Sequence, residues 1–147
     1  MVDTSNVTNM ASAFINASKL EKLPLINTSK VTNWYQAFRG CTSLKSVPAF
    51  DFSSATALNE TFYLCSALVD FPLVSIPKVT IMNNIFSSCL NLSNDSLNNI
   101  MQMCINASAY GQAKTLRQIG LASAQATTCQ SLSNYQAFLN AGWTTGY

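Results

Sequence analysis

The stretch VTNWYQAFRGCTSLKSVP, residues Val31–Pro48, recurs along the chain with a period of 24 residues. Looser copies begin at Val7, Ala55 and Val79. In each copy a Phe follows seven residues after the first position, a small or sulfur-bearing side chain three residues later, and a Leu three residues beyond that. These columns are Phe14, Phe38, Phe62 and Phe86; Ala17, Cys41, Cys65 and Cys89; and Leu20, Leu44, Leu68 and Leu92. A fixed period of this length is typical of stacked repeats.

A single copy is too small to fold alone. Burying each Phe or Leu stabilises the chain by about 1.5–3 kcal/mol, whereas ordering the backbone costs roughly 1–2 kcal/mol per residue. Stacked copies can fold, because each column then packs against the same column of its neighbours. We therefore expect the four Phe side chains to line up in a single row.

Two local patterns within the repeat predict its secondary structure. Trp34, Ala37, Phe38 and Cys41 have the i, i+3, i+4, i+7 spacing of a helical face. The segment 44–48 is short and closed by a Pro, which favours a brief strand. The sequence thus predicts an α/β solenoid, a right-handed coil with short parallel strands on one side, short helices on the other and a helical C-terminal cap.

The period also predicts the domain organisation. Repeats occupy residues 1–92, as units 7–30, 31–54 and 55–78 and a partial unit 79–92, and a capping segment occupies 93–147. The cap is indicated by an amphipathic helical stripe, by a helical pattern after Ser123 and by Trp143, which would close the stack. The stripe consists of Leu97, Ile100, Met101, Cys104 and Ile105. No polar cap precedes Val7, so we expect upstream chain or another subunit to cover the N-terminal edge.

The repeat pattern resembles that of a known family. Val-Thr-x-Met/Trp-x-x-Ala-Phe-x-x-Cys-x-x-Leu-x-x-Val/Leu-Pro, at 7–24, 31–48 and more loosely 55–72, is similar to the leucine-rich repeats of BspA-like bacterial surface proteins. The segment DTSNVTNM, residues 3–10, resembles one subclass of these repeats. Residues 93–147 resemble the segment that closes such arrays, which implies a last strand at 116–120.

This resemblance implies a non-enzymatic recognition or adhesion module, displayed on a bacterial cell surface or on a phage tail. It would be extracellular and would bind a protein or glycan on a cell surface. The alternative is a structural assembly module, a virion or cell-wall building block with no external ligand.

Composition and motifs give little support to other classes of function. The chain has no His, the residue most often used in general acid–base catalysis. Nothing matches a phosphate-binding Gly loop or a zinc motif. Eight basic and six acidic residues give a net charge of +2 without a basic run, and no apolar run is long enough to span a bilayer. The sequence therefore predicts no catalytic residues, no cofactor, no metal site, no nucleic-acid partner and no membrane insertion.

The cysteine column has two possible interpretations. Cys41, Cys65 and Cys89 would lie on neighbouring coils, with Cα atoms about 4.8 Å apart, which a disulfide permits. Ala17 occupies the same column in the first unit, however, which indicates a small buried group, and a free Cys behaves as one. The pattern favours a ladder of buried thiols over disulfides or metal. Cys104 and Cys129 lie on apolar helix faces and are predicted to belong to the core.

Positions that change from copy to copy are candidates for ligand binding. Two such columns follow the Leu of each repeat, and aromatic side chains on the helical side would add anchors. The candidates are Glu21, Lys45 and Val69; Lys22, Ser46 and Asp70; and Tyr35 and Tyr63. The alternative for each is a solvated surface residue.

Overall fold

The computed structural model describes residues 3–109 and 119–145. Its helices are α1 (Asn94–Ala109), α2 (Ser123–Gln130) and α3 (Tyr135–Asn140). Before α1 the chain is a series of turns joined by isolated parallel bridges. These bridges are Asn9↔Asn33, Asn33↔Ala57, Ala57↔Ile81 and Ser46↔Asp70. Each bridge joins residues one period apart, so successive repeats stack in register.

The predicted α/β solenoid, with strands on one side and helices on the other, is wrong. Within the described residues the repeats contain no strand, sheet or helix. Alternate backbone N–H groups, such as those of Trp34 and Phe38, donate to carbonyls of the next repeat, while the N–H of Ala37 closes a turn onto the Trp34 carbonyl. Because an α-helix needs consecutive N–H groups to bond four residues back, this alternation produces a chain of tight turns.

Left-handed residues explain why the helical spacing does not give a helix. Two columns have positive φ angles: Ser12, Gln36, Glu60 and Asn84 at 53–56°, and Asn16, Gly40, Leu64 and Ser88 at 58–73°. A left-handed residue at every fourth position cannot continue a right-handed helix. Trp34, Ala37, Phe38 and Cys41 are nevertheless fully buried. The spacing thus predicted the buried face correctly and its conformation wrongly.

A single bridge replaces the predicted strand at 44–48. The Lys45 N–H donates to the Glu21 carbonyl at 3.2 Å, and the Val47 N–H donates to the Asp70 carbonyl at 3.1 Å. Pro48 follows and has no N–H to donate. The ladder therefore ends before a strand can form.

The Phe side chains form the predicted row. The rings of Phe14, Phe38, Phe62 and Phe86 lie 5.3, 5.4 and 5.8 Å apart between centroids, with planes within 8° of parallel. The last three are fully buried. This part of the expectation is confirmed: like side chains of successive repeats pack on one another.

The cysteines form the predicted ladder of buried thiols. Cys41, Cys65 and Cys89 are free and buried, and each Sγ donates to a Phe carbonyl of the preceding repeat at 3.0–3.2 Å. Burial raises the pKa of all three thiols, that of Cys65 to about 12. The ladder is therefore neutral near pH 7.

The C-terminal helices bond to the end of the stack: Ser96 and Asn99 of α1 donate to carbonyls of the third repeat, and Gln125 of α2 donates to the Cys89 carbonyl of the last repeat. The predicted stripe forms α1, with Leu97, Ile100 and Met101 buried. Phe138 of α3 stacks on the buried Trp143 at 6.4 Å. Of the predicted last strand, 116–118 lies outside the described residues, and the described remainder is not a strand. The domain division at residue 92 stays a prediction.

Candidate functional site

Six of the candidate side chains lie together along one side of the stack, here called the ladder edge: Glu21, Lys22, Lys45, Ser46, Val69 and Asp70. The Lys45 N–H donates to the Glu21 carbonyl, and the Val69 N–H donates to the Lys45 carbonyl at 2.9 Å. Ser46 is half-buried and the other five residues are exposed. Three successive repeats thus present different side chains at one fixed spacing, although no sheet supports them.

Four of the six ladder-edge side chains are charged: Glu21, Lys22, Lys45 and Asp70. Lys45 Nζ lies 3.4 Å from Glu21 Oε2, and both side chains are more than 60% exposed. Such a surface pair is held weakly, because water screens it. These charges therefore remain available to a partner, as does the exposed carboxylate of Asp70.

A groove of about 360 Å³ continues the ladder edge at Asp70. Its walls include Phe71 and Pro72 from the third repeat and Asp95 and Asn99 from α1. The groove therefore offers two carboxylates and an amide beside an apolar wall.

Hydrogen bonds hold α1 in place beside this groove. The Phe71 N–H donates to Ser96 Oγ at 2.8 Å, Ser96 Oγ donates to the Val69 carbonyl at 2.8 Å, and Asn99 Nδ2 donates to the Phe71 carbonyl at 3.1 Å. Asp95 and Asn99 were missed as candidates because the 24-residue period ends at Leu92. The sequence signal for Asp95 is its place in the first turn of a predicted helix.

The two tyrosines lie outside the ladder edge, and Tyr63 belongs to a group here called the tyrosine cluster: Gln36, Arg39, Glu60 and Tyr63. The guanidinium carbon of Arg39 lies 4.5 Å from the Tyr63 ring centroid. Arg39 and Gln36 both donate to Glu60 Oε2. Tyr63 is thus partly covered by an internal network, whereas Tyr35 is 39% exposed and available as an anchor.

A second groove of about 360 Å³ borders Tyr63. Asn84, Ser87 and Ser88 contribute amide and hydroxyl groups, and Leu121 contributes an apolar wall. Asn84 and Ser87 also occupy columns whose residues differ between copies, but neither is among the candidates that the sequence indicates. Ser87 lies one period after Tyr63, so stacking of the repeats brings the two together, and the turn at Gly120 packs against Asn84 and Ser87 and completes the groove.

The parts of the chain that the structure describes contain neither a candidate metal cluster nor a candidate membrane-spanning helix. No group of three or more His, Cys, Asp or Glu side chains is arranged there to hold a metal ion. None of the described helices is long and apolar enough to cross a bilayer.

The stack of 24-residue repeats, with its exposed and variable edge, defines a repeat protein. The family described as "Mycoplasma protein of unknown function, DUF285" matches residues 1–100, which include all the repeats. The chain belongs to this family. Comparison with curated proteins and with solved structures finds no match.

Proposed function

We propose that this protein is a non-enzymatic recognition or adhesion module of the BspA-like type, which binds a protein or glycan on a cell surface through its ladder edge. The supporting observation is that the ladder edge, backed by invariant buried columns, carries a different side chain in each repeat and leads into the groove at Asp70. Repeat proteins use such extended surfaces for recognition.

The chemistry of the edge suits a polar partner. Lys22 and Lys45 offer donors, Asp70 and Asp95 offer acceptors, and all four side chains are exposed. Sugar hydroxyls and peptide groups are both bound by such groups. An extracellular location, on a cell or a virion, is part of this proposal and is supported by the resemblance of the repeats.

A triple variant tests the ladder edge. Lys22→Ala, Ser46→Ala and Asp70→Ala together should lower adherence to host cells, or binding to a glycan array, by about tenfold or more, since anchor residues each contribute over about 1 kcal/mol. The thermal midpoint should stay unchanged, because these side chains are exposed or half-buried. Lys78→Ala with Ser75→Ala removes a similar amine and hydroxyl from another exposed part of the repeats and serves as the matched control. Equal adherence of the triple variant and the wild type would remove the ladder edge as the binding surface.

A structural assembly role is the second candidate, favoured by the incompletely buried first repeat. Phe14 and Leu20 are half-buried, whereas Phe38 and Leu44 in the next repeat are fully buried. Adherence and solution mass measured on one preparation separate the two roles. A chain that associates with repeat-bearing partners and adheres to no cell or glycan would favour assembly.

A further inference from the structure

The outer face of the first repeat lacks the packing that later repeats receive. A groove of about 240 Å³ opens there, lined almost entirely by apolar side chains. They are Phe14, Leu20, Leu23, Pro24, Ile26, Phe38 and Phe50, with Thr4 at the margin. In the next two repeats the positions equivalent to Leu23 and Ile26 are buried.

The same face also has a row of unused hydrogen-bond acceptors. Between the first and second repeats, alternate N–H groups donate to alternate carbonyls: Met10 to Asn33, Ser12 to Tyr35, Phe14 to Ala37 and Asn16 to Arg39, at 2.6–2.9 Å. The second repeat bonds to the third in the same way. The equivalent acceptors of the first repeat are the carbonyls of Asn9, Ala11, Ala13 and Ile15. Within the described residues, none of these four carbonyls accepts a hydrogen bond.

We propose that this face binds one further 24-residue repeat of the same kind, stacked in register ahead of residues 7–30. Its alternate N–H groups would donate to the four free carbonyls, and its Phe would stack on Phe14. The existing interfaces supply the template, because ring spacing and hydrogen bonding repeat from one to the next. This inference is independent of whether the ladder edge binds a ligand.

A second copy of the chain does not fit this face. Two copies meeting face to face would oppose one row of acceptors to another, with no donors between them. The opposite end of the stack is closed, since the Phe86 N–H donates to the Ile119 carbonyl at 3.1 Å and both Phe86 and Cys89 are fully buried.

The turn at residues 3–6 would deliver such a repeat to this face. Asp3 Oδ1 accepts the Ser5 N–H at 2.9 Å, as Asp51 Oδ1 accepts the Ser53 N–H at 2.8 Å. Thr4 Oγ1 donates to the Asn27 carbonyl, as Thr28 Oγ1 donates to the Asp51 carbonyl. Residues 3–6 therefore have the same geometry as residues 51–54, which join one repeat to the next, and a repeat placed ahead of Asp3 would be connected to this face in the same way.

The test adds such a repeat to the full chain. A copy of residues 31–50 is fused directly ahead of Asp3, replacing residues 1–2, so that its end meets the turn in register. We expect the thermal midpoint to rise by roughly 4 °C or more and the added residues to resist proteolysis. A scrambled copy of the same composition is the control. Ala13→Glu is the second control, because Ala13 is exposed whereas Ala37 in the same column is fully buried.

We expect the in-register copy to raise the thermal midpoint and the scrambled copy to leave it unchanged. Ala13→Glu should cancel the rise that the in-register copy gives. Ala13→Glu alone should leave the midpoint of the unextended chain unchanged. The proposal would be overturned if the added residues stayed protease-sensitive. It would also be overturned if the thermal midpoint of the extended chain still rose when Ala13→Glu was present. Dimerisation of the unextended chain that Ala13→Glu abolishes would also overturn it, in favour of a second copy.

Discussion

The thiol of Cys65 donates to the carbonyl oxygen of Phe38, 3.1 Å away in the preceding repeat. Cys41 and Cys89 stand in the same relation to Phe14 and Phe62. One small side chain thus fills the core and also satisfies a backbone acceptor that lies between repeats. The thiol ladder is therefore part of the stacking, and its ionisation should oppose stacking.

Stability should fall at alkaline pH because of this ladder. Burial raises the pKa of Cys65 from 9.0 to about 12, so the folded state holds its proton more tightly than the unfolded state does. The resulting stability is present below pH 9 and is lost as the pH rises from 9 toward 12. Urea unfolding of Cys65→Ala between pH 7 and 11 should show a shallower loss than wild type. Tyr35→Phe, which removes an exposed hydroxyl that is not part of the thiol ladder, should keep the wild-type slope. Equal slopes for Cys65→Ala and wild type would contradict the prediction.

Replacing a Phe of the row by Ala should cost the most stability at the centre of the row. Phe62 packs between Phe38 and Phe86 at 5.4 and 5.8 Å, so Phe62→Ala should lower the free energy of unfolding by about 3–5 kcal/mol. Phe14→Ala should have a clearly smaller effect, because Phe14 has a ring neighbour from only one adjacent repeat and is half-buried. Chemical denaturation of both variants makes the comparison. Equal losses would mean that the end of the stack is as well packed as its middle.

Ser96 should anchor α1 to the third repeat. Ser96→Ala leaves the buried Phe71 N–H without an acceptor and the Val69 carbonyl without the hydroxyl donor, which should cost about 1–3 kcal/mol. Ser93→Ala removes the hydroxyl that accepts the Ser96 N–H at the start of α1 and donates to Ser96 Oγ at 3.0 Å, but it leaves the Phe71 N–H paired and should cost about 1 kcal/mol. Ser133→Ala, at an exposed position, is the control and should stay within about 0.5 kcal/mol of wild type. Chemical denaturation should show the largest loss of unfolding free energy for Ser96→Ala, a smaller loss for Ser93→Ala and almost none for Ser133→Ala. Equal losses for Ser96→Ala and Ser133→Ala would contradict the prediction.

Substitutions in the left-handed column that contains Gly40 and Leu64 should change stability according to how readily the new residue adopts a positive φ angle. Gly40 has a φ of +73°, and a Cβ there would lie 2.3 Å from Asn16 Oδ1. Gly40→Ala should therefore destabilise by about 1–2 kcal/mol. Leu64→Asn, in the same column at φ 62°, should be neutral or stabilise by up to about 1 kcal/mol, because Asn adopts this conformation more readily. Thermal unfolding of the two variants checks the sign, and a neutral Gly40→Ala would show that the strain is relieved elsewhere.

Much of the buried structure could be predicted from the chain alone. The 24-residue period predicts the columns of Phe14, Phe38, Phe62 and Phe86 and of the cysteines. Side chains that pack against the equivalent side chain of the next repeat must recur at a fixed spacing. The amphipathic stripe at Leu97 to Cys104 was likewise sufficient to predict α1. Lys22, Ser46 and Asp70 share one column of the period, and their role in binding stays a prediction.

The conformation of the repeat could not be predicted in the same way. A buried face with i, i+3, i+4, i+7 spacing arises equally from a helix and from tandem turns with left-handed residues at Gln36 and Gly40. Nothing in the side chains at these two positions marks both as left-handed, since Gln rarely adopts that conformation. The grooves beside Asp70 and Tyr63 were also hidden, because Asp95 and the turn at Gly120 come from beyond the periodic region.

The amino-acid sequence by itself determined which side chains stack, since burial of like columns requires only a constant repeat length. The tertiary structure alone decided how the backbone joins the repeats. Some N–H groups close turns within a repeat and the alternate ones donate to the next repeat, and this division can form only when the next repeat lies alongside. The same alternation leaves the carbonyls of Asn9, Ala11, Ala13 and Ile15 at the open face without a donor from residues 3–109 or 119–145.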